Sequence, residues 1–139
     1  MNSERILRMN CPKNKEKAEI PARKALVEYC LRLPGAYEDY PFDDDPSSPD
    51  AWTVMRHLEN RRSFALIFEH GGILNLNLKC DPAEADFLRG VYRSVIPAYH
   101  MNKEHWIGVL LDGSVPDKEL RSWIDASYRC TLPKRKRKY

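Results

Sequence analysis

The chain reads as an α+β domain: two layers, with an antiparallel sheet of about five strands and helices on one face, in the order α-β-β-β-α-β-β-α. Three observations predict this. Leu74, Leu76 and Leu78 alternate with Asn75, Asn77 and Lys79, a period of two that gives a strand one dry and one wet face. Ala22, Leu26, Cys30 and Leu33 recur at helical spacing, as do Leu120, Trp123, Ile124 and Tyr128. Asp81-Pro82, placed between the strand-like runs, is a helix start, with Asp as N-cap and Pro at the first position. One-sided helical cover over alternating strands is the arrangement of an antiparallel sheet.

Taken in order, residues 1–20 are polar and lysine-rich and read as a flexible arm, 21–132 as the domain, and 133–139 as a basic tail. Pro21 opens the first helix and Pro34-Gly35 closes it. Residues 37–50, YEDYPFDDDPSSPD, hold six acidic residues and no basic one, and Pro41, Pro46 and Pro49 oppose regular structure, so the segment reads as an exposed loop. Strand-like runs follow at Ala51–Leu58, Ser63–Phe68 and Ile73–Leu78, joined by Glu59–Arg62 and Gly71-Gly72. The helix after Asp81 turns Ala85 and Leu88 inward, with Phe87, Val91 and Tyr92 beside them. Tyr99–Met101 and Trp106–Leu111 read as two short strands joined through Asn102–His105. Asp112-Gly113-Ser114 is a turn, with Ser114 as cap of the last helix, which ends near Cys130.

Composition narrows the class. A length of 139 residues fits one domain and buries a core without staples. No apolar run approaches the roughly 18 residues of a membrane span, and the N-terminal stretch lacks the apolar centre of a secretory signal. Cys11, Cys30, Cys80 and Cys130 form no C-x-x-C pair, against a zinc site or a disulfide scaffold. The expectation is a reduced cytoplasmic chain, monomeric or weakly dimeric, with no membrane, metal or cofactor. Net charge is +3, but residues 134–138 alone supply five positive charges and residues 1–20 a net +2, so the body carries a net −4. The basic character lives at the ends, whereas nucleic-acid-binding domains carry a basic face.

Five ordered motifs, DYPF (Asp39–Phe42), LNLKCDP (Leu76–Pro82), VIPAYHMNKEHW (Val95–Trp106), LDGSVPD (Leu111–Asp117) and IDASY (Ile124–Tyr128), make residues 22–132 resemble the MmcQ/YjbR family of small bacterial proteins. The resemblance implies a CyaY-like or secretion-chaperone-like fold. It also implies DNA binding, through a "double wing" likeness to the C-terminal domain of a phage transcription activator. The DDDPSSPD stretch extends the usual turn after DYPF, and KRKRK adds to the end of the domain.

YHMNKEHW (Tyr99–Trp106) gathers two imidazoles, an amide, an ammonium and an indole. It lacks the converging ligands of a metal site and a nucleophile for covalent catalysis, so no enzyme is expected. Its structural reading has Asn102 turning the chain while Tyr99 and Trp106 pack. Its recognition reading sets Lys103 and His105 toward phosphate, with an aromatic plane for stacking. The expected function is nucleic-acid binding, DNA above all, with a role in transcription. The expected surface is Arg56, Arg61 and Arg62 on the first hairpin, Lys79 with Asn75 and Asn77 on the wet sheet face, Lys103 and His105 in the turn, and Lys134, Arg135 and Lys136 in the tail. The alternatives are a protein-interaction or chaperone-like module using the sheet surface, and a small-molecule-binding domain with a pocket beside Tyr99–Trp106. The acidic loop lacks the order of a calcium-binding loop.

Overall fold

The computed structural model describes residues 22–48 and 50–134. The 1–20 arm, Pro21, Pro49, Arg135 and Lys136 lie outside the described residues. Among those described, the order is α1 (Arg23–Leu31), β1 (Ala36–Asp39), β2 (Thr53–His57), β3 (Ser63–His70), β4 (Ile73–Lys79), α2 (Pro82–Val91), β5 (Val95–Pro97), β6 (Trp106–Leu110) and α3 (Asp117–Cys130). One sheet runs β1-β2-β3-β4-β6-β5 with every neighbouring pair antiparallel.

The α+β class and the antiparallel sheet are as predicted. The sheet has six strands because Ala36–Asp39 pairs with Arg56 and its neighbours, although two of its four residues are acidic. Backbone pairing and the Asp39–Arg56 ion pair at 2.8 Å hold this edge where side-chain pattern gave no signal. On the opposite edge the strand is Val95–Pro97 and not Tyr99–Met101. An edge strand accommodates proline, and the residues after it form a turn instead.

Helices cover one face. Leu26, Val27 and Cys30 of α1, Ala85 and Leu88 of α2, and Leu120, Ile124 and Tyr128 of α3 meet Met55, Ala65, Ile67, Leu76, Leu78, Ile107 and Val109 of the sheet in a single core. Phe87 and Val91 do not join it, being 62% and 56% exposed. The short α2 turns only its Ala85–Leu88 stripe to the sheet. Asp81 does cap α2, accepting from the backbone N–H groups of Ala83 and Glu84. Ser114 does not cap α3; its hydroxyl bonds Asp112 and Ser94, and the helix begins after Pro116 without a side-chain cap.

The predicted wet face is the main correction. Asn75 and Asn77 are 2% and 0% exposed. Their alternation with leucine is real, but Trp52 and the β5–β6 connection return over them, building a second apolar cluster of Val54, Leu66, Ala98 and Trp106 with Trp52 and Met101. The buried amides bond locally: Asn75 Nδ2 donates to the Ile73 carbonyl and Asn77 Nδ2 to the Tyr99 carbonyl.

Candidate functional site

The predicted basic residues divide into two groups. Arg56 is consumed inside its hairpin, with Nε on Asp39 and Nη1 donating to the Arg61 carbonyl at 2.9 Å. Lys103 is consumed inside its turn, where Nζ donates to the carbonyls of Ala98 and Met101. Arg61, Arg62, His105 and Lys134 are exposed. Arg61 sits in the left-handed region at φ +62°, a cost that Asn60 helps offset by accepting the Arg62 N–H. Lys79 is half-buried with its ammonium 5.5 Å from the centre of the Trp106 ring. Arg135 and Lys136 lie outside the described residues.

Those outward charges share one end of the sheet. Lys79 and Cys130 line one hollow between β4 and α3, where burial pushes the Cys130 thiol up while the charges of Lys79, Arg62 and Arg129 oppose that shift. Asn60 Nδ2 donates to the Thr131 carbonyl at 3.0 Å, tying the hairpin tip to the end of α3. His105 reaches the same end, its carbonyl accepting the Cys80 N–H at 2.8 Å. Lys134 follows three residues after Thr131, so the basic run of the sequence begins beside the hairpin. Arg129 was not among the predicted residues; its position in the last turn of an amphipathic helix was the only available signal.

A different site lies across the second sheet face toward the far end of β3. Trp52, His70, Tyr99 and His100 wall an open groove of about 520 Å³, with Phe42 at its margin, Leu66 and Met101 adding aliphatic surface, and Glu69 as its carboxylate. Trp52 stacks flat on Phe68 at 3.9 Å, and Phe42 meets it edge-on at 6.1 Å. Tyr99 lies 4.0 Å from both His70 and His100. Asp43 holds this loop closed by accepting the Trp52 N–H at 2.9 Å.

The octapeptide supplies the other wall by a folded turn. Asn102 accepts the N–H groups of Glu104 and His105, the turning role predicted for it, and Trp106 packs in the second cluster. His100 adopts φ +63°. Gly108 makes room beneath: a Cβ there would stand 3.2 Å from Asn77 Oδ1 and 3.3 Å from the Ala98 Cα, so only glycine lets Asn77 reach the Tyr99 carbonyl without displacement. The pocket expected beside Tyr99, His105 and Trp106 is therefore rebuilt. Tyr99 stays in it, while Phe42, Trp52, Glu69, His70 and His100 replace the other two. Those residues are dispersed over some sixty positions of chain, and only an aromatic pair flanking the proline-rich loop hinted at them.

With this geometry in view, comparison with known proteins is decisive for kinship. A family model described as YjbR matches residues 31–130. The chain belongs to the YjbR family. The chain is 35% identical over 119 residues to the uncharacterized protein YyaQ of Bacillus subtilis, covering 78% of this chain and 97% of that one. It is 34% identical over 116 residues to the uncharacterized protein YjbR of Escherichia coli K12, covering 81% and 92%. Among solved structures, a Pseudomonas syringae protein superposes with a TM-score of 0.70 at 32% identity, over 81% of this chain and all of that one. A Deinococcus radiodurans protein does so at 0.67 and 35%, over 78% and 77%. The YjbR match spans the groove and the hairpin but stops short of Lys134.

Proposed function

We propose that this YjbR-family protein is a nucleic-acid-binding module that grips phosphates with the basic end of its sheet. The observation that carries the reading is the Asn60–Thr131 bond, because it brings the hairpin cations to the place where the basic run 134–138 leaves the fold. Arg61, Arg62, Lys79, Arg129 and His105 then form a folded platform that the sequence follows, from Lys134 on, with the basic run KRKRK. The reading sets aside Arg56 and Lys103, whose cationic groups bond within the protein, and Asn75 and Asn77, which are buried. It also accounts for a body with net negative charge: only one end needs to meet the polyanion. Lys and Arg around phosphate contribute affinity and register but little sequence preference, so DNA binding of low sequence selectivity is expected.

The test is a salt titration of binding to duplex and single-stranded DNA, read by fluorescence anisotropy. Each phosphate contact removed should flatten the logarithmic salt slope by about 0.9 on duplex DNA. The Arg61→Gln/Arg62→Gln double variant should therefore lower the slope by about 2, and removal of residues 133–139 by up to about 5. If the truncated chain binds no DNA and the double variant keeps the full slope, the folded platform takes no part and the reading fails.

A further inference from the structure

We propose that the aromatic groove is a binding site for a small organic cation of the quaternary or tertiary ammonium class. The proposal is independent of the nucleic-acid reading, since the groove lies toward His70, at the opposite end of β3 from the Arg61-Arg62 turn.

Five of the lining residues present π faces, two of them imidazoles, and Glu69 is the lone carboxylate among them. The rings are not collapsed into one stack. Phe42 stands at 90° to Trp52, and Tyr99 is tilted by 34° from it at 6.4 Å. Rings facing a common space from several directions suit a rounded cation, which is drawn to π faces without needing directed hydrogen bonds. Folding has left these rings unfinished: Phe42 is 68% exposed and Tyr99 36%. The volume lies within the range of small-molecule sites, about 300–1,000 Å³.

The charge around the groove selects the ligand's sign. Asp43, Asp44 and Asp45 follow Phe42 directly, and residues 37–50 contain no basic residue. The guanidinium of Arg23 is engaged by the Ala51 and Ile67 carbonyls and the Thr53 hydroxyl. A phosphate or carboxylate would meet Glu69 and this acidic loop, whereas an ammonium is favoured by both the rings and the carboxylate. A neutral ligand of the same shape would gain the apolar contact alone.

The full chain, labelled with ¹⁵N, is titrated with choline and with its neutral carbon isostere 3,3-dimethyl-1-butanol. The Trp52 indole N–H is the reporter, and those of Trp106 and Trp123 are internal controls. Choline should shift Trp52 saturably and bind roughly tenfold more tightly than the isostere. Glu69→Gln should weaken choline about fivefold and Tyr99→Leu about tenfold, with the Trp106 and Trp123 signals unmoved. Glu69 is exposed, so its variant carries the test even if Tyr99→Leu disturbs the turn. Equal affinity for the two probes, no saturable Trp52 shift, or unchanged binding by the Glu69→Gln protein would each overturn the proposal.

Discussion

His57 shows how one buried side chain couples acidity to stability. It is 2% exposed, with Phe64 and Tyr128 packed around the ring at 5.1 and 4.7 Å. The Thr131 hydroxyl lies 2.7 Å from His57 Nε2 and 2.8 Å from the Ser127 carbonyl, so the imidazole is hydrogen-bonded to the end of α3 inside the core. Burial holds the imidazole below its ordinary value; a backbone bond at Tyr128 opposes this and the charge of Arg62 adds to it. The unfolded chain therefore takes up the proton first as pH falls. Stability from the neutral ring is full above about pH 6.5 and is lost below it, at up to about 1.4 kcal/mol per pH unit. Urea midpoints measured from pH 7.5 to 5 should fall in the wild type, and His57→Gln should remove that component of the slope while lowering stability at neutral pH.

At the scale of elements, α3 is bolted to the sheet where β3 and β4 part. The register Ala65↔Leu78 would set Phe64 opposite Lys79 as the next rung. Ser127 stands in that rung, its hydroxyl accepting the Lys79 N–H at 2.9 Å and donating to the Phe64 carbonyl at 2.6 Å. The same helix carries Thr131 to His57 and Tyr128 to the Pro34 carbonyl, so a helix with no side-chain N-cap is anchored along its C-terminal half instead. Ser127→Ala would leave two buried backbone groups without a partner, a loss of about 1–3 kcal/mol. Chemical denaturation should show a lower midpoint with an unchanged m-value, since the exposed area on unfolding stays the same. Cys30 in α1 and Cys80 in the link from β4 to α2 behave as apolar groups: burial pushes the Cys30 thiol up to about 12 and that of Cys80 to about 11.

Among the described residues the sheet is covered on both faces, by helices on one and by two returning loops on the other. The exposed cations of the β2–β3 turn and the aromatic groove lie at opposite ends of β3, so the two proposed surfaces are spatially separate. Among the described residues the last buried one is Thr131, and Leu132 to Lys134 are exposed or half-buried. Removal of residues 133–139 should shift the thermal midpoint by no more than about 2 °C. A calorimetric scan checks this, and a larger drop would mean that the tail contributes to folding.

How much was legible follows from the range of the forces involved. Helical spacing at Leu26, Cys30, Leu120 and Ile124, alternation at Leu74–Leu78 and the Asp81-Pro82 start are local rules, and each produced its element. The β1 edge was missed because Ala36–Asp39 is recruited by β2, some twenty residues on, through backbone bonds that side-chain pattern does not record. The groove was foreseen only at its Tyr99 side because its other walls come from the β1–β2 loop and the end of β3, which are distant in sequence. The sequence by itself determined an antiparallel α+β domain of the YjbR family with its charge at the ends. Only the tertiary structure decided that the leucine–asparagine strand has no wet face. An alternating pattern sorts side chains to two sides, but water reaches a side only if no other part of the chain folds back over it.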